Sequence, residues 1–285
     1  MWHIAKVIDL NRQITLDIER AFQEDMADRG DLTAALIPVE KHAHARVMTR
    51  EDGVLAGTAW FEACFKSLDP NSRIFWLAED GEPVTAGQTL CEVEGNARAL
   101  LSAERPALNF LQTLSGVASE TRNYVSAVAG THARIYDTRK TIPGLRAALK
   151  YAVYCGGGEN QRMGLFDGIL IKENHIAAAG GIRPALEQAH TLAPAEVSVQ
   201  IEVEDMAQLD EALDAGARLI LLDNFNLETM REAVLFNEGR AQLEASGGIT
   251  LDNVRSVAET GVDRISIGSL TKNVRAMDLS MRFVD

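Results

Sequence analysis

From residue 130 onward, short apolar runs alternate with segments of helical spacing. Six such runs stand at 133–136, 168–171, 198–201, 219–222, 241–245 and 263–267, and a helical pattern follows each one. This repetition implies parallel β-strands joined by crossover helices, either in an open doubly wound sheet or in a barrel. The sequence after residue 130 therefore predicts an α/β domain.

Polar or glycine residues follow every one of these apolar runs. They are Asp137-Thr138-Arg139-Lys140, Lys172, Glu202, Asp223, Ser246-Gly247-Gly248 and Gly268. The carboxyl ends of parallel strands share one edge, and barrel enzymes place their chemistry on that rim. An open sheet would concentrate its site at a single switch point instead. The even distribution favours the barrel.

The first 128 residues have a different pattern. Residues 15–28 show helical spacing, with Thr15 and Asp17 available to cap the start. Short strands alternate with turns over 43–95, interrupted by a helix at about 58–68, and a long helical run follows over 97–128. We expect that run to be broken or bent near Pro106 and Gly116. This part predicts a small α+β domain.

The chain carries 41 acidic and 28 basic side chains, a net charge of −13. That balance disfavours nucleic acid or an anionic membrane as the main partner. Residues 105–172 are an exception, because they hold nine lysines or arginines and only four acids. The planar guanidinium group of arginine and the compact ammonium group of lysine both bind carboxylates and phosphates. This basic island predicts a site for a small, strongly anionic ligand.

Several rim residues suggest chemistry, each with an ordinary structural alternative. Ser246-Gly247-Gly248 and Gly268 suit a phosphate bound by backbone N–H groups, or are simply tight turns. Glu202 and Asp223 would meet a metal, ribose hydroxyls, or Lys140 or Lys172 in ion pairs. His175 has no second histidine or cysteine at ligand spacing, so we expect a hydrogen-bonding role rather than metal ligation.

Other features exclude classes of protein. No apolar run is long enough to span a bilayer, and Lys6 and Asp9 interrupt any signal-peptide core, so we expect a cytoplasmic protein. The three cysteines form no C-x-x-C pair and are expected to be buried free thiols. Gly156-Gly157-Gly158 either lets the backbone approach a ligand closely or ends a helix. It lacks the spacing of dinucleotide and P-loop motifs.

Longer stretches carry a family resemblance. They are EDMADRGDLTAALIP (24–38), ERPALNFLQTLSGVAS (104–119), DTRKTIPGLRAALKYAV (137–153), GGGENQRMGL (156–165), LIKENHI (170–176), LLDNF (221–225), LEASGGIT (243–250) and MDLSMRF (277–283). Together they resemble quinolinate phosphoribosyltransferases, also called carboxylating nicotinate-nucleotide pyrophosphorylases. The resemblance implies an N-terminal α/β sandwich domain (1–115) joined to an incomplete TIM-like α/β barrel (116–274). It also implies that a tail at about 275–285 packs with the N-terminal domain.

The implied activity is that of a decarboxylating pentosyltransferase. It transfers phosphoribosyl from phosphoribosyl pyrophosphate to quinolinate, giving nicotinate mononucleotide, pyrophosphate and CO2 for NAD synthesis. The resemblance further implies Mg²⁺ and a homodimer in which Arg105 is supplied across the interface. Three alternative functions remain. Two are enzymes, a related transferase without decarboxylation and a lyase that forms a Schiff base on Lys172. The third is a non-enzymatic regulator that binds a phosphosugar.

The resemblance gives each candidate residue a role. Lys140, Glu202 and Asp223 are the expected catalytic residues, with Lys140 at the leaving group and the two acids at the ribose hydroxyls or, directly or indirectly, at Mg²⁺. The expected substrate-binding residues are Arg105, Thr138, Arg139, Gln161, Arg162, Lys172, His175, Ser246, Gly247, Gly248 and Gly268. The family usually has His where this chain has Gln161, which can donate a hydrogen bond but carries no charge.

Overall fold

The computed structural model describes residues 7–284. The chain divides into two compact units. Of the described residues, the first comprises 7–122, 141–157 and 270–284, and the second comprises 123–140 and 158–269. Each unit is therefore assembled from stretches that are separate in sequence.

The first unit is built on a four-stranded antiparallel sheet in the order β12-β1-β5-β3, with a small β2-β4 ladder. Its strands are β1 (His42–Thr49), β2 (Gly53–Val54), β3 (Arg73–Trp76), β4 (Pro83–Val84), β5 (Thr89–Asn96) and β12 (Leu279–Val284). Its helices are α1 (Leu10–Met26), α2 (Thr58–Leu68), α4 (Arg146–Cys155) and most of α3 (Ala97–Ala127). Fully buried aromatic and leucine side chains, among them Trp60, Phe61 and Phe65, form its core.

Helix α1 starts five residues before the predicted position. Asp9 is its N-cap and accepts a hydrogen bond from the Arg12 backbone N–H at 3.1 Å. The predicted cap Asp17 instead lies in the helix, buried, and accepts a hydrogen bond from the Trp60 indole at 3.0 Å. The expectation was wrong because the apolar spacing already begins with Leu10 and Ile14, and Ile14 is buried like Ile18 one turn later.

Helix α3 is continuous through Pro106 and Gly116, so the run is not broken there, while the expected bend stays a prediction. Proline removes one backbone hydrogen bond, but Leu100, Leu108 and Leu111 on this helix are buried, and their packing outweighs that loss. Packing explains why a glycine stands at position 116, since an added Cβ would lie 2.0 Å from the carbonyl oxygen of Arg275. The glycine lets the tail segment cross the helix.

The tail then joins the N-terminal sheet. The Met277 N–H donates to the Gln112 carbonyl at 3.0 Å. Strand β12 pairs antiparallel with β1, placing Arg282 opposite Arg46. One of the two edge strands of this sheet, β12, therefore comes from the end of the described chain.

The second unit contains one six-stranded sheet, and every ladder in it is parallel. Its strands are β6 (Arg134–Tyr136), β7 (Gly168–Ile171), β8 (Ser198–Val203), β9 (Leu219–Asp223), β10 (Gln242–Ser246) and β11 (Arg264–Ser266). Its helices are α5 (Glu173–Ala179), α6 (Ile182–Leu192), α7 (Met206–Asp214), α8 (Leu227–Asn237) and α9 (Val254–Ala258), and α10 (Ser269–Lys272) begins at its end. All six predicted strands are present, whereas α5 was not predicted.

The strand order is β6-β11-β10-β9-β8-β7. Consecutive strands are neighbours from β7 to β11, and the first strand lies beside the last, which is the one-way winding of a barrel rather than a doubly wound sheet. Within residues 7–284 no ladder joins β6 to β7, although Glu159 forms an isolated parallel bridge with Tyr136. The predicted fold class, an N-terminal sheet domain followed by an incomplete parallel α/β barrel, is confirmed.

Two further expectations concern the described residues as a whole. All three cysteines are free and buried, as predicted, and burial raises the pKa of the Cys64 and Cys155 thiols to about 12. Across residues 7–284, none of the helices combines the length and apolarity that crossing a bilayer requires. The predicted signal-peptide interruption at Lys6 lies outside the described residues.

Candidate active site

The carboxyl ends of the second unit's strands bring most of the predicted residues onto one rim. Taken in sheet order from β6 to β7, the rim presents Thr138-Arg139-Lys140, Gly268, Ser246-Gly247-Gly248, Asp223, Glu202 and Lys172. Register places Asp223 directly beside Ser246. Cations therefore stand at both ends of the rim, with the glycine loops and the acids between them.

Glu202 and Lys172 form an ion pair. Glu202 lies inside β8 rather than after it. It pairs with Leu221, two residues before Asp223, so it lies farther from the rim than Asp223 does. Its Oε2 lies 2.7 Å from Lys172 Nζ, and its side chain is only 10% exposed. A Schiff-base lyase needs a lysine amine that is free to attack a carbonyl carbon, whereas this side chain is held by the Glu202 carboxylate. This contact disfavours the lyase alternative.

His175 acts locally at the start of α5. Its Nδ1 accepts a hydrogen bond from the Lys172 backbone N–H at 3.0 Å, and the ring is exposed. This bond caps the helix and fixes the backbone that carries Lys172. The structure thus gives His175 a positioning contact with a predicted substrate-binding residue, while its own predicted role in substrate binding stays a prediction.

Arg139 and Arg162 form a like-charge pair. Burial, together with the positive charge of Arg139, lowers the pKa of the half-buried Arg162 guanidinium. Arg162 Nη1 also donates to the Gly168 carbonyl at 2.8 Å, which orients the fork. Two neighbouring guanidinium groups repel each other, and a dianion between them would relieve that repulsion. The predicted role of these two arginines in binding carboxylates stays a prediction.

Thr138, Lys140 and Gly268 lie together at the neighbouring ends of β6 and β11. The Lys140 backbone N–H donates to Thr138 Oγ1 at 3.0 Å. A Cβ at Gly268 would lie 3.1 Å from Lys140 Cδ and 3.5 Å from Thr138 Oγ1. The missing side chain at Gly268 therefore leaves the space that the Lys140 side chain occupies.

The two glycines after Ser246 have positive φ angles, +103° at Gly247 and +61° at Gly248. The neighbouring residue Asn224, which the sequence did not single out, also has a positive φ of +56°. Its backbone N–H donates to the Ser246 carbonyl at 3.0 Å, and its Nδ2 donates to Asp223 Oδ2 at 3.0 Å. A Cβ at Gly247 would lie 2.1 Å from Asn224 Oδ1. Asn224 thus joins the predicted phosphate loop to a predicted catalytic acid.

Sequence reasoning also missed a row of polar side chains below the rim. Alternate residues of a strand share a face, so Glu244 lies on the face of Ser246, and Gln200 on that of Glu202. Gln161 Nε2 donates to both carboxylate oxygens of Glu244, at 2.5 Å each. The signal available was the alternation of polar and apolar residues in QIEV (200–203) and QLEAS (242–246).

Two predicted features lie in the first unit. Arg105 is exposed on α3. Gly156 ends α4, as the structural alternative held, because a Cβ there would lie 2.5 Å from the Ala118 carbonyl oxygen. Arg122 Nε, another member of the basic island, donates to the Gly156 carbonyl at 2.9 Å. Part of the basic island is therefore structural.

The donors on the rim fit a magnesium ion that the substrate helps to hold. Within residues 7–284 no three His, Cys, Asp or Glu side chains are grouped to bind a metal by themselves. Mg²⁺ commonly uses one or two carboxylates and takes its other ligands from phosphates and water. Asp223 is partly exposed at the rim, and Glu202 lies two residues below the level of Asp223 on the neighbouring strand. These two carboxylates would be the protein's ligands for such an ion, and that role stays a prediction.

Family models match both parts of the chain. The C-terminal domain model of quinolinate phosphoribosyl transferase matches residues 117–282, and the N-terminal domain model matches residues 31–115. The chain belongs to the quinolinate phosphoribosyltransferase family. The predicted resemblance is therefore confirmed, and the rim of the second unit belongs to the family's C-terminal domain.

Relatives within the family are similar over nearly the whole chain. A probable carboxylating nicotinate-nucleotide pyrophosphorylase of Bacillus subtilis is 43% identical, covering 91% of this chain and 90% of its own length. A decarboxylating quinolinate phosphoribosyltransferase of Nicotiana glauca is 40% identical, covering 93% of this chain and 81% of its own. The solved nicotinate-nucleotide pyrophosphorylase of Francisella tularensis has a TM-score of 0.93 at 42% identity, covering 96% of this chain and 97% of that one.

Proposed function

We propose that this chain transfers the phosphoribosyl group of phosphoribosyl pyrophosphate to the ring nitrogen of quinolinate. Decarboxylation follows, and the products are nicotinate mononucleotide, pyrophosphate and CO2. The observation that carries the proposal is the half-buried Arg162 guanidinium, which Gly168 orients through a hydrogen bond of 2.8 Å and whose pKa is lowered by burial and by the positive charge of Arg139. A planar dicarboxylate can bind two neighbouring guanidinium groups at once, which a monocarboxylate cannot do as well. The names of the family relatives agree with this activity.

The rim divides the work between its two kinds of residue. Arg139, Arg162 and Lys172 hold the carboxylates of quinolinate and point its ring nitrogen at the anomeric carbon. As pyrophosphate leaves, positive charge develops on the sugar ring, and Glu202 and Asp223 stabilise it through the ribose hydroxyls. The ring nitrogen, once ribosylated, withdraws electrons from the adjacent carbon, so this carbon can keep the electron pair of the broken bond as CO2 departs. A proton from water then adds to it, and no organic cofactor is needed.

Three groups act on the phosphates. The backbone of Ser246, Gly247 and Gly248 binds the 5-phosphate, and Lys140 neutralises the leaving pyrophosphate. Mg²⁺ supplies further charge neutralisation when it is bound, held by Glu202 and Asp223 directly or through water. His175 supports the site by fixing the backbone of Lys172.

The test is incubation with quinolinate, phosphoribosyl pyrophosphate and Mg²⁺, following nicotinate mononucleotide by chromatography and CO2 from labelled quinolinate. Equal amounts of both products are expected. The Glu202→Gln variant has nearly the same shape as the wild type but lacks the charge. Its rate of product formation should be strongly reduced if the activity comes from this site. Absence of product from the wild-type protein at saturating substrates would overturn the proposal, and product from nicotinate without CO2 would favour the non-decarboxylating transferase.

We also propose a homodimer in which Arg105 completes the partner's site. Its exposure on α3 makes it available for such a contact. Mixing the inactive variants Arg105→Ala and Lys140→Ala should restore activity after subunit exchange, because one of the two hybrid sites then carries both wild-type residues. Full exchange followed by zero recovery would refute a partner-supplied Arg105.

A further inference from the structure

Glu244 is a fully buried carboxylate inside β10, among the residues that line the barrel below the rim. Such a group is expensive to bury unless charge and hydrogen bonds compensate it. Arg264 Nε lies 3.1 Å from its Oε2, and Gln200 Nε2 donates to that oxygen at 3.0 Å. Gln161 Nε2 contacts both oxygens at 2.5 Å. Glu244 therefore ties together three side chains from different segments.

Arg264 completes this arrangement from the neighbouring strand. Register places it directly beside Glu244, and its guanidinium carbon lies 3.8 Å from the centre of the Tyr136 ring. The ring face holds the cation in place. The carboxylate thus has a fixed charge partner of its own and can hold Gln161 by hydrogen bonding alone.

Gln161 is fixed at two points. Its backbone N–H donates to Asp137 Oδ1 at 2.9 Å, and Asp137 is itself fully buried. Its side-chain NH2 group faces the Glu244 carboxylate, because the amide oxygen would be repelled there. The carbonyl end of the planar amide must consequently face away from Glu244. Both the position and the orientation of the amide are set by buried acids.

We propose that Glu244 is a positioning residue, which fixes the amide of Gln161 and so sets how the site recognises the pyridine dicarboxylate. The inference rests on the proposed function for the identity of that ligand. Gln161 directly precedes Arg162, so an amide that moves disturbs the segment carrying one of the two carboxylate-binding forks. Glu244 acts through Gln161 and does not touch the substrate.

The kinetic test compares Glu244→Gln, Gln161→Ala and the double variant. Glu244→Gln should raise the KM for quinolinate about fivefold to tenfold, the size expected for one well-oriented hydrogen bond. The KM for phosphoribosyl pyrophosphate should stay within about twofold. In the double variant, Glu244→Gln should add nothing to the effect of Gln161→Ala. Additive effects, or an unchanged KM for quinolinate, would overturn the proposal.

Asn237→Ala is the matched control for lost stability. Asn237 is a buried amide of the same unit, and it bonds the Ala241 backbone through both its oxygen and its nitrogen, away from Glu244. It should lower the melting temperature as Glu244→Gln does, yet leave the KM for quinolinate unchanged. If Asn237→Ala raises that KM equally, the Glu244 effect is merely structural.

A measurement without substrate separates this inference from the proposed function. In protein labelled with ¹⁵N-glutamine, the side-chain NH2 signal of Gln161, assigned by its loss in Gln161→Ala, should shift strongly on Glu244→Gln and not on Asn237→Ala. An unmoved signal overturns the positioning role even if the enzyme is active. A shifted signal in a protein that makes no nicotinate mononucleotide supports the contact and refutes the proposed reaction instead.

Discussion

Gly247 and Gly248 are adjacent in the predicted phosphate loop, yet replacing each by alanine should have very different effects. At Gly248 the φ of +61° lies in the left-handed region, and no atom lies within 4 Å of an added Cβ. An alanine there costs about 1 kcal/mol of backbone strain. At Gly247 the φ of +103° lies outside that region, and the strain is about 2 kcal/mol.

Gly247→Ala also meets a steric obstacle. The added methyl group would lie 2.1 Å from Asn224 Oδ1. Asn224 can withdraw only by releasing Asp223 Oδ2, which its Nδ2 now contacts at 3.0 Å. Taking about 1 kcal/mol for that lost hydrogen bond, Gly247→Ala costs about 2 kcal/mol more than Gly248→Ala. That difference corresponds to about 30-fold in an equilibrium constant.

The assay is kcat/KM for phosphoribosyl pyrophosphate at saturating quinolinate. Gly248→Ala should lose about fivefold and Gly247→Ala about 150-fold, if the loop must reach its present shape to bind the phosphate. The KM for quinolinate should change little in either variant. Equal losses in the two variants, or a larger loss for Gly248→Ala, would refute the reasoning from φ and from the Asn224 contact.

Three other predictions follow from contacts described above. Gly116→Ala should lower the melting temperature by about 4 to 8 °C, because overpacking against the Arg275 carbonyl outweighs the gain in helix propensity; Ser126→Ala, at an exposed position of α3, should not. The three cysteines should resist a thiol reagent at pH 8 until guanidinium unfolds the protein, since burial raises the pKa of two of them to about 12; rapid labelling of native protein would contradict their burial. Quinolinate should raise the melting temperature more than nicotinate at equal concentration, because a dianion relieves the Arg139–Arg162 repulsion better. Equal shifts would count against the paired-arginine site.

Periodicity located the elements of the second unit well. Strand β7 occupies the predicted residues 168–171, because an apolar run bounded by polar turns admits one strand and little else. Helix α5 escaped prediction because it has no buried residue and therefore no apolar face to detect. Its start is set by the Lys172 and His175 capping contacts, which sequence spacing alone does not reveal.

The candidate site was predictable where residues follow strands and obscure where they lie within them. Asp223 and Ser246 stand at strand ends, where a polar residue interrupts an apolar run. Glu244 lies inside a strand, and its function depends on which side chains from other strands reach it. That information belongs to the strand order, which places β11 and β9 on either side of β10.

The pairing of β12 with β1 bears on how the protein is made. The ribosome completes every residue of the second unit, which ends at Ser269, before it adds Leu279–Val284. Until then one hydrogen-bonding edge of β1 has no partner strand, and an open edge of this kind can pair with a strand of another nascent chain. The sheet that contains β1, the first strand of the described chain, is thus the sheet whose last strand is synthesised last.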